Sequence, residues 1–367
     1  MQFEVELSPR DEVPRWLVYA TPVFTIVGAL AVSALALLAL DVSPPAAYRV
    51  MFLDTLTTEF GVRKTLIESV PLVLSGLAVY LPLKAGLWNV GAEGQLLLGA
   101  VTGTWIGLNV SAPSVLLIPL MFLAAAGVGA IWAGIPALLR AKWDINEIIT
   151  TLLLTFVAAN LVSYLIRGPM QSDTGNFPQT AILPVAAQLP SLPVLDIHAG
   201  LAVALVAAVL VYLLVTWTRF GFEVTLVGSN AEAATRAGIS KTTVYVLVLV
   251  LGGVLASFAG LAEIAGNQAR LRNSFAPGYG FTAIPIALLG RNNAAYVVVA
   301  ALFFAVLFVG GDSLSIVMGV PAALIEIIQA LIILFLITAE FFKRYAVDVT
   351  TDLELRRVGT DPVGEDH

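Results

Sequence analysis

The chain is written in long apolar runs separated by short polar punctuation. The runs lie at about 16–40, 65–83, 86–109, 114–139, 147–166, 198–217, 243–264, 275–290, 294–311 and 321–342. A helix rises 1.5 Å per residue, so about 20 residues cross the roughly 30 Å hydrocarbon core of a bilayer. The runs lack the strict alternation of barrel strands. The pattern therefore predicts an all-α polytopic integral membrane protein with about ten transmembrane helices. Several are expected to be broken: Pro277 and Pro285 interrupt the eighth run, and the second, third and tenth carry Pro or Gly where a plain helix avoids them.

The polar punctuation sets the organisation. Lys and Arg collect in short cytoplasmic loops. With an inside N-terminus and ten alternating crossings, thirteen of the nineteen basic residues fall inside and six outside. Nine or eleven crossings scatter the later charges. Both termini are therefore expected to be cytoplasmic. The segments are a cytoplasmic N-terminal stretch 1–15, a transmembrane domain 16–342 and a cytoplasmic tail 343–367. The outer loop 167–197 is rich in Pro and Gln. The cytoplasmic loop 218–242 contains RFGFEVTLVGSNAEAATRAGISKT. In it Ser229 or Asn230 can cap a short helix that ends at Gly238.

Composition sharpens this picture. Of 367 residues, 59% are hydrophobic and 12% charged, about half the charge of a soluble domain. There is no cysteine, so disulfides, thiolate metal sites and cysteine nucleophiles are excluded. The two histidines, His198 and His367, are too few and too far apart for a histidine metal site. The net charge is −6, and Arg outnumbers Lys 14 to 5. A salt-loving source and a GC-rich genome both give that balance.

One apolar run raises a chemical question. GLWNVGAEGQLLLG, residues 86–99, carries Asn89, Glu93, Gln95 and four glycines. Asn89 can cap the helix that follows, which puts Glu93 in its first turn, where free N–H groups favour a carboxylate. An ionisable residue inside a span costs about 2.5–3.5 kcal/mol and normally faces protein or a water-filled cavity. This is a broken helix facing inward. Glu93 either satisfies the backbone freed by the break or lines a pathway. A weaker echo lies at 278–290, where Tyr279 and Phe281 either stack on cargo or belong to an interfacial aromatic belt. Glu326 and Gln329, three apart, share a helix face and either line a cavity or bond a neighbour. Glu147, beside Lys142, is expected to form an interfacial ion pair. Glu263 is expected to reach water at the outer end of its span.

Enzyme signatures are missing. The sequence has no GxxxxGK[ST] phosphate loop, GxSxG elbow or HExxH pair. It also lacks a basic patch for nucleic acid.

Five segments, in this order, carry a resemblance: KAGLWNVGAEGQLLLGA (84–100), NEIITTLLLTFVAANL (146–161), TRFGFEVTLVGSNAEAATRAGI (218–239), GYGFTAIPIALLGRNN (278–293) and GVPAALIEIIQALIILF (319–335). They resemble the permease subunits of ABC importers, in the branch that includes branched-chain amino acid, sugar and nucleoside permeases. The likeness is strongest to nucleoside-type permeases that work with a basic-membrane-protein-type lipoprotein. The resemblance implies that this chain holds no cofactor and that ATP and Mg bind a separate ATP-binding subunit. It further implies a second permease subunit, in a homodimer or, in preference, a heterodimer, an extracytoplasmic solute-binding lipoprotein, and a place in the cell membrane. Asn230, Glu232, Ala233, Ala234, Arg236 and Gly238 match the cytoplasmic helix that docks in the ATPase. The pathway candidates are Asn89, Glu93, Gln95, Tyr279, Phe281, Glu326 and Gln329. The expected cargo is a nucleoside, with a sugar or branched-chain amino acid as the alternative. A rival class, an ion-coupled secondary transporter with Glu93 or Glu326 as ion site, has no need of the docking helix.

Overall fold

The computed structural model describes residues 3–9, 15–172, 177–193, 196–272, 275–291 and 293–351. It divides into two compact units, residues 48–317 and the two chain ends, 1–47 with 318–367.

In the unit of the chain ends, helix α1 (Arg15–Leu38) packs on α12 (Ala322–Arg344), and a Cβ placed on Gly28 would lie 2.9 Å from the Phe335 ring. Strand β1 (Phe3–Pro9) pairs antiparallel with β4 (Tyr345–Thr351), from Phe3 opposite Thr351 to Pro9 opposite Tyr345.

The larger unit holds α2 (Glu59–Lys84), α3 (Ala92–Asn109), α4 (Ser114–Trp143), α5 (Glu147–Arg167) and α6 (Gly200–Trp217). It continues with α7 (Arg219–Ser229), α8 (Ala231–Arg236), α9 (Lys241–Glu263), α10 (Tyr279–Leu289) and α11 (Ala294–Met318). Each predicted span falls on a helix. Among the described residues six are long and apolar enough to cross a membrane: α2, α4, α5, α6, α9 with its π-helical extension Ile264–Gln268, and α11. Helix α10 has only 11 residues, about 17 Å of rise, and cannot cross alone.

Helix α9 is the centre of this unit. Small residues let its neighbours approach to backbone distance, as membrane helix pairs require. A Cβ on Gly253 would overlap Gly129 of α4, and one on Gly260 would overlap the Leu96 carbonyl of α3. The loop between α5 and α6 is docked on the end of α9: Leu183 N–H donates to Ala269 O (2.7 Å) and Leu189 N–H to Ala265 O (2.8 Å). Near its end β2 (Ser191–Leu192) pairs with β3 (Ile197–His198).

The loop 218–242 carries more helix than the sequence suggested. Thr218 caps α7 by accepting from Gly221 N–H (3.1 Å), and Asn230 caps α8 by accepting from Ala233 N–H (2.9 Å). Gly238, at φ +86°, ends the hairpin.

Candidate translocation site and coupling surface

Helix α2 ends at Lys84, Gly86 turns the chain at φ +78°, and residues 87–89 are non-helical. This is the break that the glycines and polar residues of 86–99 signalled. Asn89 does not cap α3. Gly91 holds the cap position, with no side-chain cap bond. The Asn89 amide is engaged elsewhere: its Nδ2 donates to Gln95 Oε1 (2.9 Å) and Ala78 O (3.2 Å), and its Oδ1 accepts from Gln95 Nε2 (3.0 Å). The two buried amides close a ring and pin the break to α2.

Glu93 is 6% exposed, and its Oε2 accepts from Gly280 N–H at 2.6 Å. A Cβ on Gly280 would overlap the Glu93 backbone. The first turns of α3 and α10 are therefore in contact. Their directions follow from their neighbours. Asn89 lies beside Gly252 at the middle of α9, whereas Gly107 lies against Leu183, which bonds at residue 269 beyond the far end of α9. So α3 runs with α9. Helix α10 runs with α2: Tyr279 reaches Glu68, and Ile286 lies against Gly76. Ala85 clusters with Val244, and Ala78 meets Gly252, so α2 opposes α9. Two short helices thus leave one point in opposite directions, with their N-termini together. A carboxylate at that point is favoured by the partial positive charge of both ends.

Of the sequence-derived pathway candidates, the fold brings Asn89, Glu93, Gln95 and Tyr279 to this junction. Phe281 is on the same half-helix but 42% exposed. Glu326, exposed, and Gln329, half-buried, stand on α12 in the other unit. Tyr279 is buried; its hydroxyl donates to Glu68 Oε2 (2.5 Å), and its ring meets Phe308 edge-on at 6.2 Å. Glu68 was not among the sequence-derived site residues, because its partner lies 211 positions away.

The expected Glu147–Lys142 pair does not form. Glu147 Oε2 lies 3.3 Å from Arg140 Nε, and its Oε1 accepts from Trp88 N–H (3.2 Å) in the break. Lys142 instead lies over the Trp143 ring. Asn146 caps α5 and turns Glu147 towards Arg140 and the break. Among the described residues, no group of three His, Asp or Glu side chains is placed to hold a metal.

At the helical hairpin, Ala234 is 3% exposed and packs in a cluster with Val224, Val227 and Tyr245 that also includes Ala85 and Leu87. Glu232 and Arg236 point outward, 3.9 Å apart and both more than four-fifths exposed. Ala233 and Gly238 are exposed beside them. Gly228 of α7 rests against the Lys84 carbonyl, where a Cβ would overlap it. The hairpin therefore touches the turn that opens into the break.

Residues 61–337 match the family described as branched-chain amino acid transport system, permease component. The chain belongs to that family. Over its whole length it is 62% identical to the glucose ABC transporter permease protein TsgB13 of Haloferax volcanii, covering 99% of that protein. It is 33% identical to the guanosine ABC transporter permease protein NupP of Bacillus subtilis, over 86% of this chain and 91% of the relative. It is 30% identical to the nucleoside ABC transporter permease protein NupB of Lactococcus lactis, over 86% and 89%. The chain is a multi-pass membrane permease subunit of the ABC importer type and not an enzyme. An ATP-binding subunit and a solute-binding partner belong with such a permease.

Proposed function

We propose that this permease imports a small polyhydroxylated solute, a hexose ahead of a nucleoside, by alternating access driven by ATP and Mg on the separate ATPase. The mechanism rests on one observation: the helical hairpin that presents Glu232 and Arg236 also rests, through Gly228, on the Lys84–Gly86 turn. A displacement of α8 reaches that turn directly. From there Trp88, Asn89 and Glu93 connect to α5, α2 and α10. Asn89, Glu93, Gln95 and Tyr279 are the pathway and hinge residues of this reading. Phe281, Glu326 and Gln329 are its outer candidates.

The full-length 62% identity to a glucose permease supports a sugar ahead of the nucleoside first expected; the nucleoside reading keeps the support of the 33% and 30% relatives. Both cargos present a ring bearing neighbouring hydroxyls. The β1–β4 pairing supports an even number of crossings, since it brings both ends of the chain to one side. Cytoplasmic termini and ten crossings fit the charge count. A second, different permease chain completes the pathway.

The test is receptor-stimulated ATP hydrolysis in lipid, with this chain assembled with its ATPase, second permease and solute receptor. Glucose is expected to stimulate more than guanosine, and Glu232→Ala with Arg236→Ala is expected to remove the stimulation. Stimulation by guanosine alone replaces the cargo. Uptake driven by an ion gradient without ATPase removes the importer reading.

A further inference from the structure

A polar cavity of about 450 Å³ lies at the end of the larger unit opposite the helical hairpin. Its wall includes Glu263, at the far end of α9 and 22 residues beyond Lys241, a rise of about 33 Å. Glu263 is 1% exposed. The sequence suggested that this carboxylate reaches water, and the structure corrects that. Its Oε1 accepts from Asn267 Nδ2 (2.9 Å) and Gln268 Nε2 (2.8 Å). Its Oε2 is buried and has no hydrogen-bond partner among the described residues. A buried acceptor left without a donor is costly, so this carboxylate favours a group that brings a donor to it. Across the cavity Glu68 accepts from Tyr279 and lies 3.7 Å from Lys64.

The charges decide which ligand fits. Lys64 and Arg272 line the cavity and repel a cation; Glu68 and Glu263 line it and repel an anion. Donors and acceptors face each other across a space of the size small molecules use. Phe275 and Pro277 add an apolar wall of the kind against which a sugar ring lies. A hydroxyl both donates and accepts, so a neutral polyol satisfies both walls.

We infer that this cavity is a low-affinity subsite for a neutral, hydroxyl-bearing solute, and that the Glu263 side chain turns on binding so that its Oε2 accepts one cargo hydroxyl. The inference rests on the import reading above and adds a binding position on the permease itself. Weak binding suits a conducting path, which must release what it takes.

Glu263→Gln is the informative variant. Its amide oxygen can keep the Asn267 and Gln268 bonds while the open carboxylate oxygen becomes an NH₂. Binding of D-glucose to the receptor-free complex in nanodiscs is measured by saturation-transfer NMR, at equal amounts of assembled complex. The wild type is expected to bind saturably. Glu263→Gln is expected to weaken binding about tenfold, the size of one lost charge-assisted hydrogen bond. Lys64→Gln, on the more exposed rim, gives a second variant that does not depend on a buried change and is expected to lose about threefold. Unchanged binding in both variants overturns the subsite. So does absence of binding while receptor-delivered glucose uptake proceeds, or sodium binding that depends on Glu263 without sugar binding. If the wild type takes up guanosine and not glucose, the hexose reading has failed. The subsite then stands only if Glu263→Gln weakens guanosine binding about tenfold.

Discussion

Glu93 shows how one side chain holds two helices. Its carboxylate sits in the first turn of α3 and accepts from the first turn of α10. Glu93→Ala leaves the Gly280 N–H without its acceptor, at a cost of about 1–3 kcal/mol. The assembled complex is expected to melt lower and to lose most of its uptake, while Glu93→Gln, which keeps an acceptor oxygen, is expected to lie between the two. A Glu93→Ala complex as stable as wild type means the bond does not hold α10. Gly280→Ala tests the same contact from the other side, since its Cβ has no room. The break and the inward carboxylate were legible in the sequence, because glycines weaken a helix and a carboxylate within an apolar run is costly against lipid. The partners were not legible. Gly280 is 187 residues from Glu93, and Trp88 is 59 from Glu147. No local spacing rule reaches that far. The Asn89 cap was a sound local expectation that lost to bonds with Gln95 and with the Ala78 carbonyl of α2.

At the scale of the element, the coupling role proposed for the helical hairpin can be tested apart from its folding. The Glu232–Arg236 pair is solvent-exposed, so it contributes at most about 0.5 kcal/mol to stability. Replacing both by Ala is expected to leave the melting temperature unchanged and to abolish cargo-stimulated hydrolysis. Asn230→Ala is expected to cost about 1 kcal/mol of helix stability by removing the cap, read as faster amide exchange across Ala231–Arg236. The β2–β3 segment makes a prediction of a different kind. His198 is buried against Gly200 and Gly266, and its Nδ1 accepts from Gly200 N–H. Burial pushes the imidazole down from 6.5 to about 4. Between those values the opened segment binds a proton and the closed one does not, so stability rises with pH. The penalty is absent above about pH 6.5, grows as pH falls and is complete below about 4. Exchange of residues 196–203, corrected for intrinsic rate, is expected to be faster at pH 5 than at pH 7, and the difference is expected to vanish in His198→Gln. Helix existence was legible at this scale because apolar period and length set it. Helix α7 was not, because its apolar face reads as a loop until the cluster around Tyr245 covers it.

At the scale of the whole molecule, the chain ends form a unit of their own. Val5 and Val349 are register partners in the β1–β4 ladder. The protein has no native cysteine, so Val5→Cys with Val349→Cys is expected to give an intramolecular crosslink under mild oxidation, seen as a joined pair of fragments after cleavage in the loop between α5 and α6. Failure to crosslink, with each cysteine reactive alone, removes the pairing and its support for an even number of crossings. The charge count could suggest that the ends share a side, but it could not suggest that they bond, since ladder partners have no signature in either strand alone.

This pairing also sets a timetable for biogenesis. Helix α1 leaves the ribosome before the larger unit, and its partner α12 after it. The 270 residues from Tyr48 to Val317 lie between the two halves. At about 5–20 residues per second their synthesis takes roughly 14–54 s. For that interval α1 is a newborn helix without its mate, exposed to lipid and to the insertion machinery, while the larger unit already has what it needs to pack. The larger unit is therefore expected to mature first, and the pair of α1 and α12 to close only once α12 has been made.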